Sequence, residues 1–209
     1  MKMKYKHIIF DIDGTILNTE TADMLATQET VFQLTGEKKA LEEFQFSFGI
    51  PNSVVFPQLG IADAEKASLM WAENYSKYHS TLKLFDGMED VLYELKNRGH
   101  ILGIVTSKSR REFNADFVTF GLEHLFGTVI CVDDSPLPKP NPDPVLEYMK
   151  QANAEKSETI YIGDTVYDAQ TAHSAGIDFA LAVWGAHNWE QIKAEYYLKM
   201  PSEVLDLLF

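Results

Sequence analysis

The chain has 209 residues, and 45% of them are hydrophobic, which is enough for a core and excludes a globally disordered protein. Asp and Glu number 31 against 18 Lys and Arg, so the net charge of −13 argues against nucleic acid or an anionic membrane surface as a partner. With the single cysteine Cys131 we expect no intramolecular disulfide, and no apolar stretch is long enough to suggest a signal peptide or a bilayer span. We therefore expect a cytoplasmic protein with one medium domain, or with a core that carries a smaller insert.

Five short runs rich in Ile and Val predict the strands of a parallel sheet. Their apolar residues do not alternate with polar ones, which is typical of strands buried on both faces. The runs are His7–Phe10, Ile101–Thr106, Thr128–Val132, Thr159–Ile162 and Phe179–Val183. Helical patterns separate most of these runs, so we expect an α/β fold: a Rossmann-like parallel sheet core with right-handed crossovers and an inserted helical subdomain.

Single residues predict several helix boundaries in this core. In Gly87–Arg98 the apolar residues recur with a helical period, and Asp86 and Gly99 are suited to begin and end that helix. Pro142 suits the first position of another helix, since its missing N–H has no partner to lose there. Gly176 is suited to close a third helix.

The segment 17–83 departs from the alternating pattern, because it contains no convincing strand and is too long to be a single crossover helix. Helical patterns over Glu20–Leu34 and Ala62–His79 predict that this segment folds as an inserted helical subdomain. Residues 1–16 and 84–209 would then form the α/β core.

Two carboxylates follow the first predicted strand, in the motif Asp11-Ile12-Asp13-Gly14-Thr15. Ligands of open parallel sheets bind at the carboxyl ends of the strands. There Asp11 and Asp13 would repel each other and lose hydration, and a hard cation with oxygen ligands, most naturally Mg²⁺, would offset both effects. For this motif alone, the alternative is an ordinary Asp-Gly turn.

Groups suited to phosphate follow the second predicted strand and occur again in a proline-rich loop. Thr106 and Ser107 precede a predicted helix, whose N-terminus would bind phosphate well; the alternative is an ordinary helix cap. Lys139 lies between two prolines, which could fix its ammonium in one place; the alternative is a solvated loop lysine.

Asp164 and Asp168 follow the fourth predicted strand, in Gly163-Asp164-Thr165 and four residues further on. If Asp164 opens a helix, Asp168 lies one turn later on the same side. The alternative is an N-cap at Asp164 followed by an exposed carboxylate at Asp168.

Taken in order, the motifs DxDGT, Thr/Ser, Lys and GDTxxD at successive strand ends resemble the haloacid dehalogenase superfamily of phosphohydrolases. The resemblance covers nearly the whole chain, and the insert resembles the helical cap of that family. It implies that Asp11 is a nucleophile that forms an aspartyl-phosphate and that Asp13 is the general acid and base. It also implies Mg²⁺ as the cofactor, held by Asp11, by the backbone carbonyl of Asp13 and by Asp164.

The resemblance assigns supporting roles to the remaining motif residues. Thr106, with Ser107, would bind the transferring phosphoryl group. Lys139 would neutralise that group and position the nucleophile. Asp168 would act on the metal site through a water or a neighbouring ligand.

Asp13 favours phosphatase or phosphomutase chemistry, since the dehalogenases and phosphonatases of the family lack an acid at this position. Gly103–Ser107 with Lys108, and the run from Cys131 to Pro140, resemble the phosphoglycolate phosphatase and pyrophosphatase branch. We expect hydrolysis of a small phosphorylated metabolite, either a phosphate monoester such as phosphoglycolate or pyrophosphate, by a monomer or homodimer.

Three alternative functions are compatible with parts of this pattern. A sugar phosphomutase resembling β-phosphoglucomutase would share the fold, but no Lys or Arg occurs between Lys39 and Lys66 to bind a second phosphate. A phospho-acceptor receiver domain uses similar groups for signalling, and the length, the insert and Asp13 argue against it. A binding protein without catalysis is disfavoured because every motif residue is present.

Overall fold

A computed structural model of the chain describes residues 4–208. The chain divides into two compact units, a core unit of Met1–Leu17 with Leu84–Phe209 and a helical unit of Asn18–Lys83. None of the helices in the described part of the chain is long and apolar enough to cross a membrane.

The regular elements are numbered here in chain order. The strands are β1 His7–Phe10, β2 Leu17–Asn18, β3 Lys83–Leu84, β4 Ile101–Val105, β5 Phe126–Ile130, β6 Thr159–Gly163, β7 Asp178–Ala182 and β8 Tyr196–Leu198. The helices are α1 Glu20–Thr35, α2 Asn52–Gln58, α3 Ala64–Ser76, α4 Met88–Asn97, α5 Arg110–Asp116, α6 Asp143–Ala152 and α7 Val166–Ala175. Short 3-10 segments occur between them, the longest being Leu41–Ser47 and Pro201–Leu208.

The core unit is built on a six-stranded sheet in the order β5-β4-β1-β6-β7-β8, with every described pairing parallel. Phe10, the last residue of β1, lies in register with Ile104 of β4 and Ile162 of β6. The residues that follow these three strands therefore meet at one edge of the sheet. β4 and β6 lie on opposite sides of β1, so the sheet extends in both directions from this point. The predicted α/β parallel-sheet fold is confirmed.

Helices cover both faces of this sheet because successive strand residues point to opposite sides. Ile8 and Phe10 are fully buried in the apolar cluster that includes α4, whereas Ile9 between them is buried in the cluster that includes α6 and α7. Burial on both faces is the reason the strands are continuous apolar runs in the sequence.

The sixth strand, β8, is a feature that the apolar runs did not predict. It lies at an edge of the sheet, and Tyr197 within it is exposed. An edge strand that is partly in water needs no continuous apolar run, so its sequence carries little signal. The five predicted strands are all present: β1 has the predicted ends, and the other four differ by one or two residues. β5 ends at Ile130, so Cys131 lies buried just after it.

Two predicted helix starts are corrected by the structure. Gly87, with φ 78°, is the N-cap of α4 and no side chain caps this end, so Asp86 lies one residue too early. Pro142 is itself the N-cap of α6, and the helix begins at Asp143. Gly176, with φ 79°, closes α7 as predicted, because the left-handed conformation costs glycine little.

The helical unit has an apolar core of its own. Val31 of α1, Phe44, and Phe56 of α2 are buried together in one cluster, whereas Phe46 is exposed. Beside this cluster, the buried amide of Asn74 donates a hydrogen bond to Thr30 Oγ1 at 2.9 Å. The predicted helices correspond to α1 and α3, and α2 was missed because it is a single short stretch interrupted by a proline.

Candidate active site

Three carboxylates meet at the carboxyl end of the central strands. Asp11 follows β1, Asp164 follows β6, and Asp168 lies in the first turn of α7. All three are buried, and one oxygen from each lies within 4.8 Å of the others. A buried cluster of like charges is costly unless cations or protons compensate it.

Lys139 brings a positive charge into this cluster from the proline-rich loop. Its Nζ lies 3.0 Å from Asp11 Oδ1 and 2.6 Å from Asp168 Oδ1, and it donates to Tyr161 Oη at 2.9 Å. Burial alone would lower the pKa of Lys139, but Asp11 and Asp168 raise it above the usual range. The ammonium therefore stays charged, and the alternative of a solvated loop lysine is wrong.

Asp168 has both carboxylate oxygens engaged by the protein. Oδ1 accepts from Lys139 and Tyr161, and Oδ2 accepts from the backbone N–H and the hydroxyl of Thr165. Thr165, not Asp164, is the N-cap of α7, and it forms a capping box with Asp168. Although burial raises its pKa, Lys139 and these hydrogen bonds bring the pKa of Asp168 below the usual range, so it remains ionised.

The pKa values of Asp11 and Asp164 are shifted in the opposite direction to that of Asp168. Burial, followed by the charges of Asp168 and Asp13, raises the pKa of Asp11 to about 7 in spite of Lys139. Burial and the neighbouring Asp168 and Asp11 raise the pKa of Asp164 well above its usual range. Without a further cation, these two carboxyl groups resist ionisation.

The same two carboxyl groups offer oxygens that suit a hard cation. Asp11 Oδ1 is buried and, among the described residues, accepts no hydrogen bond, since its contact with Lys139 has the distance but not the geometry of one. The three acids can carry three negative charges against the single charge of Lys139, which leaves a deficit that a divalent ion would fill. The donor set of carboxylate oxygens therefore fits Mg²⁺.

Two glycines allow the loop after β1 to approach this cluster closely. Gly14 has φ +72°, and a Cβ there would lie 2.1 Å from Asp164 Oδ2. A Cβ at Gly185, after β7, would lie 1.8 Å from the carbonyl oxygen of Gly14. Thr15 completes the contact by donating to Asp164 Oδ1 at 2.9 Å, so the backbone of this loop is fixed against Asp164.

Asp13 is separate from the carboxylate cluster and is one-third exposed, with 35% of its side chain accessible. Its Oδ1 lies 3.0 Å from Lys108 Nζ, and the same ammonium lies 2.6 Å from Asp116 Oδ2. The two aspartates of the DxDGT motif thus face different cations, Lys139 for Asp11 and Lys108 for Asp13.

Thr106 and Ser107 occupy the loop after β4, beside β1. Thr106 is buried, and its hydroxyl accepts the backbone N–H of Lys108 at 3.2 Å, whereas Ser107 is exposed. The helix predicted to follow these two residues is α5, but its N-cap is Ser109, so the alternative that Thr106 or Ser107 is an ordinary helix cap is wrong. Helix α5 begins at Arg110, and a capping box between Ser109 and Glu112 occupies its first donors.

Sequence reasoning assigned no role to Lys108, Asp116, Tyr161 or Gly185. Lys108 and Asp116 are only eight residues apart, but Lys108 also contacts Asp13 in a separate loop, and Tyr161 contacts the carbonyl of Val105, 56 residues away. These distant contacts leave no local signal in the sequence. Tyr161 Oη lies 2.8 Å from both the Val105 carbonyl oxygen and Asp168 Oδ1, so it ties the end of β4 to the Lys139 site.

The sequence profile described as haloacid dehalogenase-like hydrolase matches residues 8–182, which includes the loops that carry Asp11, Thr106, Lys139 and Asp164. This chain is a haloacid dehalogenase-like hydrolase. The resemblance seen in the sequence is therefore confirmed at the level of the family, and the chain is an enzyme of its phosphatase branch.

Relatives with stated activities match the chain over nearly its full length. Pyrophosphatase PpaX of Halalkalibacterium halodurans is 30% identical over 217 residues, covering 99% of this chain and 98% of the relative. Pyrophosphatase PpaX of Bacillus velezensis is 28% identical over 204 residues, covering 96% and 94%. A crystal structure from Lactobacillus plantarum, provisionally assigned as a phosphoglycolate phosphatase, is 29% identical with a TM-score of 0.90 and covers 98% of this chain and 100% of its own.

Proposed function

We propose that the protein is a Mg²⁺-dependent phosphatase that hydrolyses a small phosphate monoester, or pyrophosphate, through an aspartyl-phosphate on Asp11. The observation that carries this proposal is the position of Asp11: a buried carboxylate at the end of the central strand, 3.0 Å from Lys139 and clustered with Asp164. The core unit would hold this chemistry, and the helical unit of Asn18–Lys83 would be the cap that selects the substrate.

In the first step, a carboxylate oxygen of Asp11 attacks the phosphorus of the substrate. The new bond joins this oxygen to phosphorus, while the bond from phosphorus to the leaving oxygen breaks. Asp13 gives its proton to that leaving oxygen, which would otherwise depart as a basic alkoxide or phosphate. Lys139 and Thr106 stabilise the phosphoryl oxygens, whose charge the reaction spreads.

In the second step, Asp13, now a carboxylate, takes a proton from a water molecule as its oxygen attacks the phosphorus. The bond between phosphorus and the Asp11 oxygen breaks, which returns Asp11 as a carboxylate and releases phosphate. Bound by Asp11, Asp164 and the carbonyl of Asp13, Mg²⁺ would supply charge that offsets the repulsion between the nucleophile and an anionic substrate.

Hydrolysis of a small substrate is supported over a mutase cycle by the composition of the helical unit. No Lys or Arg occurs between Lys39 and Lys66 to bind a second phosphate. The activities named for the relatives, pyrophosphatase and phosphoglycolate phosphatase, supply the first two compounds of a substrate panel, which also includes nucleotides and sugar phosphates.

The proposal is tested with p-nitrophenyl phosphate and this panel, in the presence of Mg²⁺ and of EDTA. We expect turnover that requires Mg²⁺, and we expect Asp11→Asn to lower kcat by at least roughly 10³-fold, as for the loss of other enzymatic nucleophiles. Asp86→Asn, which replaces an exposed carboxylate of the same unit, is the matched control and should keep wild-type activity.

Three outcomes would contradict the proposal. Equal turnover by wild type and Asp11→Asn would show that Asp11 is not the nucleophile. Stable phosphorylation of Asp11 without release of phosphate would indicate a signalling domain. Isomerisation of a sugar phosphate at a rate far above hydrolysis would indicate a mutase.

A further inference from the structure

The ammonium of Lys108 lies between two aspartates of the core unit, Asp13 in the loop after β1 and Asp116 at the end of α5. It contacts Asp13 Oδ1 at 3.0 Å and Asp116 Oδ2 at 2.6 Å. The side chains of Lys108 and Asp116 are 9% and 1% exposed, whereas that of Asp13 is 35% exposed. Asp116 is therefore a buried carboxylate, Lys108 a nearly buried cation, and Asp13 a carboxylate that is partly accessible to solvent.

Burying Asp116 and Lys108 together opposes folding, because each charge loses its hydration. Two well-packed apolar side chains would fill the same space without this cost. The ion pair of Lys108 and Asp116 is therefore weak evidence of a purely stabilising role. The arrangement does supply a cation that the buried Asp116 holds in place and that contacts Asp13.

The backbone of Lys108 is fixed as well as its ammonium. Its N–H donates to Thr106 Oγ1 at 3.2 Å, and its carbonyl oxygen accepts from the N–H of Val132 at 3.0 Å. The backbone of Lys108 is thus fixed beside Thr106, the proposed phosphate-binding residue, and its ammonium is fixed by Asp116.

We propose that Lys108, held by Asp116, is a positioning residue that orients the carboxyl group of Asp13 for proton transfer to the leaving oxygen. Contact through Oδ1 leaves Oδ2 of Asp13 to carry the proton. In this role Lys108 acts on the reaction through Asp13, which it contacts. This inference rests on the proposed phosphatase function.

The test compares two esters that differ by one nitro group, phenyl phosphate and p-nitrophenyl phosphate. They present the same phosphoryl group, but phenolate is much the more basic leaving group and depends more on the acid. kcat/KM reports the steps up to departure of this group, so the ratio of the two values measures how well Asp13 acts as an acid.

We expect Lys108→Met to lower kcat/KM for phenyl phosphate at least about tenfold more than for p-nitrophenyl phosphate, since misplaced acids lose much of their typical contribution. Lys108→Arg keeps a cation and should recover part of this selectivity. In an Asp13→Asn background, Lys108→Met should change neither value further, because a positioning residue has no effect once its partner is lost.

Folding of each variant is checked by its Tm and circular dichroism. If Lys108→Met does not fold because the charge of Asp116 is no longer balanced by Lys108, Lys108→Met/Asp116→Asn removes both charges and is used instead. Lys150→Met removes an exposed lysine that pairs with Glu147 on α6, and it should leave the ratio at its wild-type value.

An equal loss for both esters would overturn the proposal, because it would show that Lys108 binds the shared phosphoryl group or only supports the fold. A full effect of Lys108→Met in the Asp13→Asn background would also overturn it. A wild-type chain that cleaves neither ester, with or without Mg²⁺, would instead contradict the proposed function, and this inference with it.

Discussion

Asp11 and Asp164 are buried carboxyl groups whose ionisation the folded chain opposes in the absence of metal. Burial and neighbouring acids raise both pKa values, and that of Asp11 reaches about 7. Burying these two carboxyl groups therefore lowers the stability of the folded chain at residues that the proposed chemistry needs, which is typical of functional sites. Asp168, by contrast, is fully satisfied by Lys139, Tyr161 and Thr165.

The raised pKa of Asp11 predicts that Asp11→Asn stabilises the metal-free chain, and that this gain depends on pH. In the unfolded chain an aspartate has a pKa of about 3.9, so between about pH 4 and about pH 7 the folded chain keeps a proton that the unfolded chain releases. The stability of the metal-free wild type is penalised increasingly across this range. The amount by which the free energy of unfolding of Asp11→Asn exceeds that of wild type should therefore grow by about 2.6 kcal/mol from pH 5 to pH 8.

The measurement is urea unfolding of both proteins in EDTA at pH 5 and pH 8. Comparison at each pH removes the contributions of His7 and His100, whose pKa values are lowered, first of all by burial, and which favour the folded state at higher pH. Asp86→Asn, at an exposed carboxylate of the same unit, is the control. A margin for Asp11→Asn that is the same at both pH values would contradict this account.

At the scale of elements, the site depends on how closely a helix packs on the central strands. Gly103 of β4 lies under the ring of Tyr148 from α6, and a Cβ there would lie 1.9 Å from a ring carbon. Tyr148 in turn contacts His7 of β1 through its hydroxyl at 3.2 Å. The absence of a side chain at Gly103 thus lets α6, which follows the Lys139 loop, pack against the sheet.

Gly103→Ala should destabilise the chain, because a rigid ring and two packed elements cannot move away from the added methyl group. Overpacking of this kind costs roughly 1–3 kcal/mol. Gly127→Ala on the neighbouring strand β5 is the matched control, since its added Cβ would meet atoms no closer than 3.9 Å. Urea midpoints of the two variants measure the difference, and equal midpoints would show that the ring of Tyr148 can yield.

At the scale of the whole molecule, the chain forms two units that each contain their own apolar clusters. The two clusters of the core unit flank the six-stranded sheet, and those of the helical unit lie among α1, α2 and α3. The chain passes from one unit to the other at Leu17–Asn18 and at Lys83–Leu84, which form a two-stranded sheet of their own.

We predict that the core unit folds without the helical unit. In a variant with a short Gly-Ser linker in place of residues 18–83, urea unfolding should remain cooperative, and p-nitrophenyl phosphate should still be cleaved. Its discrimination among the substrates of the panel should fall by about tenfold or more, because the proposed cap no longer selects them. The full-length chain is the control. A variant that shows no cooperative transition would contradict the independence of the core, and unchanged discrimination would contradict the role of the cap.

The fold class and the polar residues at the strand ends could be predicted from the sequence. Strands buried on both faces require apolar runs, and positions such as Gly176 require glycine for a left-handed turn, so these features are visible locally. Asp11, Asp164, Asp168 and Lys139 were also predicted, and the structure brings them together because parallel strands end at one edge. Their catalytic roles remain proposals.

Which cation each carboxylate faces depends on the folded chain. The contacts of Lys108 with Asp13 and of Tyr161 with the Val105 carbonyl join residues from separate loops and strands, and the contact of Lys108 with Asp116 depends on how α5 packs. Such pairing leaves no periodicity and no turn signal in the sequence, because it depends on the register of the sheet and on the direction of each loop. For the same reason, the burial that raises the pKa of Asp11 and Asp164 is a property of the folded chain and cannot be read from the motif.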